Sequence, residues 1–256
     1  MIGKMRWRMK HCVECGNELI EKECGIDGLI PFCPVCKEFR FPTFNSAIST
    51  IIFNPDKDKI LMIQQYGKPF NILVAGYINK GENATQALLR EVQEEVGLDI
   101  VNYTYNENIY FDKSNTLIHN YISYVNSETF QIAEEEVDSA RWFTIQEAVV
   151  EVKPNSLAKR FLYLALHKTG HSKSLFHYEE QRIFINDHDD QIVAEITFPS
   201  NGDVYEITHT FVDPSLRGLQ IASKLVEAAV KQIESQNKEI IPICSYAVKW
   251  FEKNKK

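Results

Sequence analysis

Two groups of residues in this 256-residue chain have the type and spacing to do chemistry: Glu91, Glu94 and Glu95, and the thiols Cys12, Cys15, Cys33 and Cys36. Residues three and four apart on an α-helix are neighbours, so the three carboxylates share one face and repel one another without a cation. Mg²⁺ or Mn²⁺ suits such a cluster, because a hard cation takes carboxylate oxygens, keeps several waters and bridges to a substrate phosphate. Held there, it would neutralise a diphosphate and lower the pKa of a water. One of the glutamates, or a downstream carboxylate, would take that water's proton. Arg90 lies to the side, where its fork can orient the carboxylates. The alternative is a solvated acidic helix face.

The thiols form two Cys-x2-Cys pairs separated by 17 residues. That spacing suits a four-thiolate Zn²⁺ site, with buried thiols or disulfides as the alternative. All four positions would be filled by protein, so this metal would stabilise folding and not catalyse. Cys24 falls outside the pattern.

From Gly76 to Leu98 the chain reads GYINKGENATQALLREVQEEVGL. This resembles the Nudix box, G-x5-E-x7-R-E-U-x-E-E-x-G-U with U aliphatic, at every fixed position. The resemblance implies Mg²⁺-dependent hydrolysis of a nucleoside diphosphate linked to another moiety, with Glu91, Glu94 and Glu95 as ligands and Gly76 and Glu82 at the substrate site. A four-cysteine ribbon before a Nudix domain resembles the NADH pyrophosphatase group. So do residues 136–143 (EVDSARWF) and 155–160 (NSLAKR). By that match Glu136 is a further metal ligand or base, with an ordinary loop carboxylate as the alternative. The resemblance covers residues 10–167. The group's S-Q-P-W-P-F-P-x-S phrase is absent, and residues 107–114 read ENIYFDKS. NADH therefore does not follow as the substrate, although Tyr110 or Phe111 could stack on a base. ADP-ribose, other dinucleotides and NAD-capped RNA stay open.

Residues 193–198 (VAEITF) and 207–226 (ITHTFVDPSLRGLQIASKLV) resemble the small GNAT-like N-acetyltransferases over residues 176–256. In that fold a strand ending near Val212 feeds a loop whose amides, at a helix N-terminus, hold the pyrophosphate of acetyl-CoA. Here that loop is Arg217, Gly218, Leu219, Gln220, Ile221 and Ala222. The pattern Q/R-x-x-G-x-G/A expects glycine where Gln220 stands, and a side chain there obstructs backbone approach if the position needs positive φ. Cys244 lies in a segment resembling the one that carries a cysteine near the acetyl group. It would act as nucleophile or transient acetyl acceptor, or else as a small packing thiol. His209 alternates with Tyr205, Ile207 and Phe211, which predicts a core histidine. The C-terminal region reads either as an amine acetyltransferase of unknown acceptor or as an acetyl-CoA sensor or scaffold.

The elements that must position these groups follow from local pattern. Asn83 can cap a helix from Ala84, with Gln86 at the capping-box position and Gly97 past its end. Leu88, Val92 and Val96 fall on the arc beside the glutamates and would anchor that helix to a sheet. Strands are expected at 47–53, 59–64 as a returning hairpin, 117–125, 192–198, 204–212 and 239–243. Helices are expected at 156–166, near 221–235, and at the C-terminus. The chain thus reads as a multidomain α/β protein: a zinc ribbon over 1–41, an α/β/α sandwich with a mixed sheet over 42–167, a polar linker over 168–175, and an α/β domain over 176–256.

A net charge of −7, from 28 Lys and Arg against 35 Asp and Glu, argues against a broad polyanion-binding surface. Arg6, Arg8 and Lys10 would suit RNA phosphate contacts, in which case the ribbon grips capped RNA. A packing or homodimerising ribbon is the favoured alternative. The longer apolar runs fall short of the roughly 20 residues that cross a bilayer. No apolar stretch follows the basic N-terminus, which predicts a cytoplasmic protein.

Overall fold

The computed structural model describes residues 9–187 and 190–254. The chain divides into two compact units, Met1–Asn45 with Phe111–Leu117, and Ser46–Tyr110 with Ile118–Lys256. No helix among the described residues is long and apolar enough to cross a membrane.

In the first unit the strands Ile20–Glu23, Leu29–Cys33 and Glu38–Phe39 make an antiparallel sheet. Its buried apolar residues, among those described, are Cys12, Ile30, Pro31 and Cys33. So small a core needs a further constraint, and the thiols are placed to supply one.

The second unit opens on a six-stranded sheet in the order Ile100–Phe111, Thr116–Val125, Asn45–Phe53, Lys59–Gln64, Ser139–Thr144, with Val74–Tyr77 also paired to Asn45–Phe53. Helix α1 (Ala84–Val96) lies on one face. Helices α2 (Ile145–Glu151) and α3 (Leu157–Lys168) lie on the other. The period of two in a strand divides the central residues between these faces. Ile48, Ile52, Leu61 and Ile63 pack with Leu88, Val92 and Val96 of α1. Ile51, Phe53, Ile60 and Met62 pack with Phe161, Leu162, Ala165 and Leu166 of α3. The expected helix start is realised in full: Asn83 accepts from the Gln86 amide, Gln86 reaches back, and Gly97 closes the helix with φ 63°. The hairpin at residues 53–60 forms as expected.

Residues 168–175 are not a solvated linker. Helix α3 runs on through Lys168, and Ser172–Leu175 is a 3-10 turn with Ser172 and Leu175 buried. The reason is local. Leu175 and Phe176 join the core of α3, while the Ser172 hydroxyl lies 3.1 Å from His167 Nδ1 and accepts from Lys224 Nζ at 3.2 Å.

Beyond this turn, His177–Glu179, Arg182–Asn186, Ile192–Thr197 and His209–Val212 form an antiparallel sheet. A second sheet joins Ser200–Asn201, Val204–Ile207 and Glu239–Pro242, the last two in parallel. Helices α4 (Ile221–Glu234) and α5 (Ser245–Asn254) complete the region. The expected strand 204–212 is broken at Thr208, whose N–H goes to Thr197 O at 3.1 Å, so its two halves serve different sheets. That break overturns the core reading of His209. Tyr205 and Ile207 are buried, but the His209 side chain is 57% exposed, 3.9 Å from Glu195.

Candidate active site

Helix α1 presents Glu91 and Glu95 inward, both buried, and leaves Glu94 exposed. Arg90 gathers the carboxylates. Its Nε and one terminal nitrogen donate to the two oxygens of Glu82 at 2.8 and 2.9 Å. The other terminal nitrogen donates to Glu91 and Glu94, each at 2.8 Å, and a further bond reaches Tyr77 O at 3.0 Å. Glu82 also accepts from the Asn79 N–H. Hydrogen bonding from Arg90, reinforced by that amide, holds its carboxyl down at about 2. Glu82, expected from sequence at the substrate site, is seen to clamp Arg90 in place.

Gly76 is the notch for Glu91. A Cβ there would come within 1.8 Å of the Glu91 carboxyl carbon. Burial raises the Glu91 pKa, partly countered by Arg90. Glu95 is the more extreme case: burial, with the charges of Glu91 and Glu136 beside it, pushes it up to about 8 despite the Gln65 side chain and the Ala75 backbone N–H, which both favour the charged form. Gln65 Nε2 donates to Glu95 Oε1 at 3.0 Å, whereas Glu95 Oε2 is buried with no hydrogen-bond partner among the described residues. An orphaned, buried carboxylate oxygen beside a second buried carboxylate is the donor set that a hard divalent cation satisfies.

Glu136 is exposed, on a loop fastened to the end of α1 by the Ala133 N–H to Glu95 O and the Gln131 N–H to Val96 O. Its charge is felt at both Glu91 and Glu95. Glu91, Glu94 and Glu95 are not drawn into one tight cage. Among the described residues, the acidic or thiol groups with ligand atoms all within 4.8 Å of one another are the cysteine quartet and Asp56, Asp58 and Glu128. Tyr110 is exposed at the end of the strand Ile100–Phe111, and Phe111 is grouped with the other compact unit. Sequence reasoning missed Gln65, whose one cue is a polar Gln64-Gln65 pair closing an apolar strand.

In the first unit Cys12 and Cys36 sulfurs lie 3.8 Å apart and those of Cys15 and Cys33 3.5 Å, all four as free thiols. A tetrahedral zinc with bonds of about 2.3 Å sets its sulfurs about 3.8 Å apart, so the quartet fits that ion. Against the upward push of burial, the backbone N–H groups of Cys15 and Glu14 and the Arg40 side chain bring the Cys12 thiol down to about 6. Arg40 Nε donates to it at 3.2 Å. Lys10 is exposed, and Arg6 and Arg8 lie outside the described residues.

In the C-terminal region the strand ending at Val212 leads through a 3-10 turn, Pro214–Leu216, to α4. Gln220 caps that helix with φ 57°, so the position does hold a left-handed backbone. Arg217, Gly218 and Gln220 are exposed, Leu219 and Ala222 half-buried, and Ile221 buried. Cys244 precedes α5. Its sulfur accepts from the Ala247 N–H at 3.3 Å and lies 3.3 Å from the Thr210 hydroxyl.

Residues 43–164 match the profile of the NUDIX domain. Residues 43–164 form a Nudix domain. Residues 182–256 match the GCN5-related N-acetyl-transferases, so a GNAT-like region follows it. The NAD-capped RNA hydrolase NudC of Pseudomonas aeruginosa PAO1 is 24% identical over 168 residues, covering 64% of this chain and 59% of that protein. NudC of Stutzerimonas stutzeri is 26% identical over 164 residues, covering 62% of this chain and 58% of that protein. This chain thus spans under two thirds of the length of these curated relatives. A NUDIX hydrolase from Nitrosomonas europaea superposes with a TM-score of 0.45 at 21% identity, over 63% of this chain and 94% of that one.

Proposed function

We propose that the Nudix domain hydrolyses the diphosphate bond of a nucleoside diphosphate linked to another moiety, with an NAD-type end, free or capping an RNA, as the substrate class to test first. The observation that carries this is the pair of buried carboxylates on α1, with Glu95 Oε2 unpartnered and Gly76 opening a notch for Glu91. Glu91 and Glu95 would hold a divalent cation, and Glu94 and Glu136 would have to move toward them to join. Such a cation neutralises the diphosphate and makes water a better nucleophile near neutral pH. Arg90 keeps the carboxylates turned to one side and Glu82 keeps Arg90 there. Glu136, exposed and with its charge felt at both ligands, would accept a proton from the attacking water. The cysteine quartet holds a structural zinc, as its sulfur spacing supports.

The test is turnover of NADH, NAD, ADP-ribose and NAD-capped RNA with Mg²⁺ or Mn²⁺, and Glu95→Gln as control. Cleavage of the diphosphate bond to two monophosphate products, which the control lacks, supports the reading. Turnover that survives in Glu95→Gln removes it. A preference for capped RNA over free NAD would favour the decapping role, for which the NudC similarity is the specific reason.

A second reading concerns the GNAT-like region. We infer that the loop from Arg217 to Ala222 binds acetyl-CoA for transfer to an amine, supported by the helix N-terminus that follows, with the left-handed backbone at Gln220 placing a side chain where it obstructs the approach and weakens that binding. Titration with acetyl-CoA, followed by CoA release with polyamine, peptide and amino-acid acceptors, separates an enzyme from a sensor. In Cys244→Ala, lost turnover with retained binding would make the thiol a participant.

A further inference from the structure

Gln65 stands outside the acidic motif, yet it makes the one side-chain hydrogen bond to Glu95 seen among the described residues. It is buried and immediately follows the strand Lys59–Gln64. There the chain turns sharply, with Tyr66 and Gly67 both in the left-handed region at φ 61° and 63°. The turn is closed by the Lys68 N–H to Gln65 O. It is also pinned from outside. Asp138 accepts the Gly67 N–H at 2.7 Å, and the Asp138 N–H donates to Gln64 O at 2.9 Å. Asp138 lies two residues beyond Glu136, on the loop fastened to the end of α1. The backbone that carries Gln65 is therefore fixed to the segment that carries Glu136, and the Gln65 amide reaches the carboxylate between them.

The chemistry of the donor matters as much as its place. A Lys or Arg beside Glu95 would neutralise the carboxylate and compete with a metal cation. An amide N–H orients one oxygen but adds no charge, so the carboxylate keeps its full attraction for a cation. With Oε1 held at 3.0 Å, one end of the carboxylate is fixed and Oε2 is left buried without a hydrogen-bond partner among the described residues. We infer that Gln65 is a positioning residue for the metal site, holding Glu95 by one oxygen so that the other is presented to the divalent cation. This rests on the reading of Glu91 and Glu95 as metal ligands given above.

The experiment is Mn²⁺ binding to the full chain, read by electron paramagnetic resonance, for the parent, Glu95→Gln, Gln65→Leu and the nearly isosteric Gln65→Met. Partners that orient a metal ligand are worth about 10–100-fold in metal affinity. Both Gln65 variants should weaken Mn²⁺ by that factor. They should raise the Mg²⁺ concentration for half-maximal turnover equally, with substrate KM at saturating metal unchanged. Circular dichroism of the metal-free proteins identifies a variant that has failed to fold, and the other Gln65 variant then decides. Binding within twofold of the parent in a folded Gln65 variant would overturn the inference while leaving the site intact. A parent that binds no Mn²⁺, or a Glu95→Gln that binds as well as the parent, would remove the metal site and this role with it.

Discussion

Replacing Gly76 by alanine should disable the Nudix site through a single contact. Gly76 lies in the strand Val74–Tyr77, paired with Ile48, and its φ is not positive, so the backbone itself accepts alanine. The obstacle is Glu91, because the new Cβ would meet its Cδ at 1.8 Å and its two oxygens at 2.0 and 2.2 Å. The carboxylate must leave the notch. Yet it is buried and tied to Arg90 at 2.8 Å, so the strain spreads into α1. Overpacking of this kind costs about 1–3 kcal/mol, and in a domain of 150–250 residues each kcal/mol lowers Tm by about 2–4 °C. Turnover should fall by more than the about 10–100-fold that loss of a ligand's supporting partner costs, since a ligand itself is displaced. The decisive assay is a double-mutant cycle. Glu91→Ala in the Gly76→Ala background removes the clash, so stability should recover by about 1–3 kcal/mol while activity stays lost. Gly76→Ala with parental stability and turnover, or a cycle with no coupling between the two positions, would refute the placement of Glu91.

Arg90→Lys keeps a positive charge but cannot span Glu82, Glu91, Glu94 and Tyr77 O at once. It should leave a folded protein with kcat/KM reduced by about 10–100-fold, and parental kinetics would show that the fork is dispensable. Cys33→Ser should lose the one zinc per chain that elemental analysis of the purified parent is expected to find; an unchanged zinc content would exclude the quartet. Burial, aided by Lys224, lowers His167 to about 4 from 6.5. The unfolded chain therefore takes up this proton first as pH falls. Stability is full above about pH 6.5 and declines toward pH 4 by up to about 3 kcal/mol, at about 1.4 kcal/mol per pKa unit. Urea melts of His167→Gln should lack that part of the slope, and an identical pH profile in the variant would refute the burial argument.

What could be read from the sequence was what local spacing determines. On α1 Asn83 and Gln86 form the capping box, Leu88, Val92 and Val96 are fully buried as the pattern predicts, and of the three glutamates Glu91 and Glu95 turn inward while Glu94 stays exposed. The cysteine pairs converge for the same reason: each knuckle is a short loop and only one pairing of loops is needed. Contacts between distant segments left no such trace. Gln65 meets Glu95 across 30 residues of chain, and nothing in its neighbourhood marks it as facing a carboxylate. The strand Ile100–Phe111 was missed because it is an edge strand, exposed at most positions, so the apolar alternation that identifies a half-buried strand is missing.

Two corrections show how pattern reading fails once a polar atom finds a partner inside the fold. Counting from Tyr205 to Phe211 as one strand puts His209 in the core, but the period of two holds only while the ladder is unbroken. Thr208 leaves it by giving its N–H to Thr197 O, and the ladder resumes against a different sheet. Each half obeys the alternation and the sum does not. The segment 168–175 fails by composition instead of period. Its small polar residues mark a linker only if their polar atoms face water, and Ser172 faces His167 and Lys224. Those hydrogen bonds offset the desolvation of one hydroxyl and let Leu175 and Phe176 carry the core of α3 on to the strands beyond. A flexible Gly/Ser replacement of this segment would therefore remove apolar burial and leave His167 and Lys224 without their shared partner. It would cost stability in the part of the chain that composition alone marks as expendable.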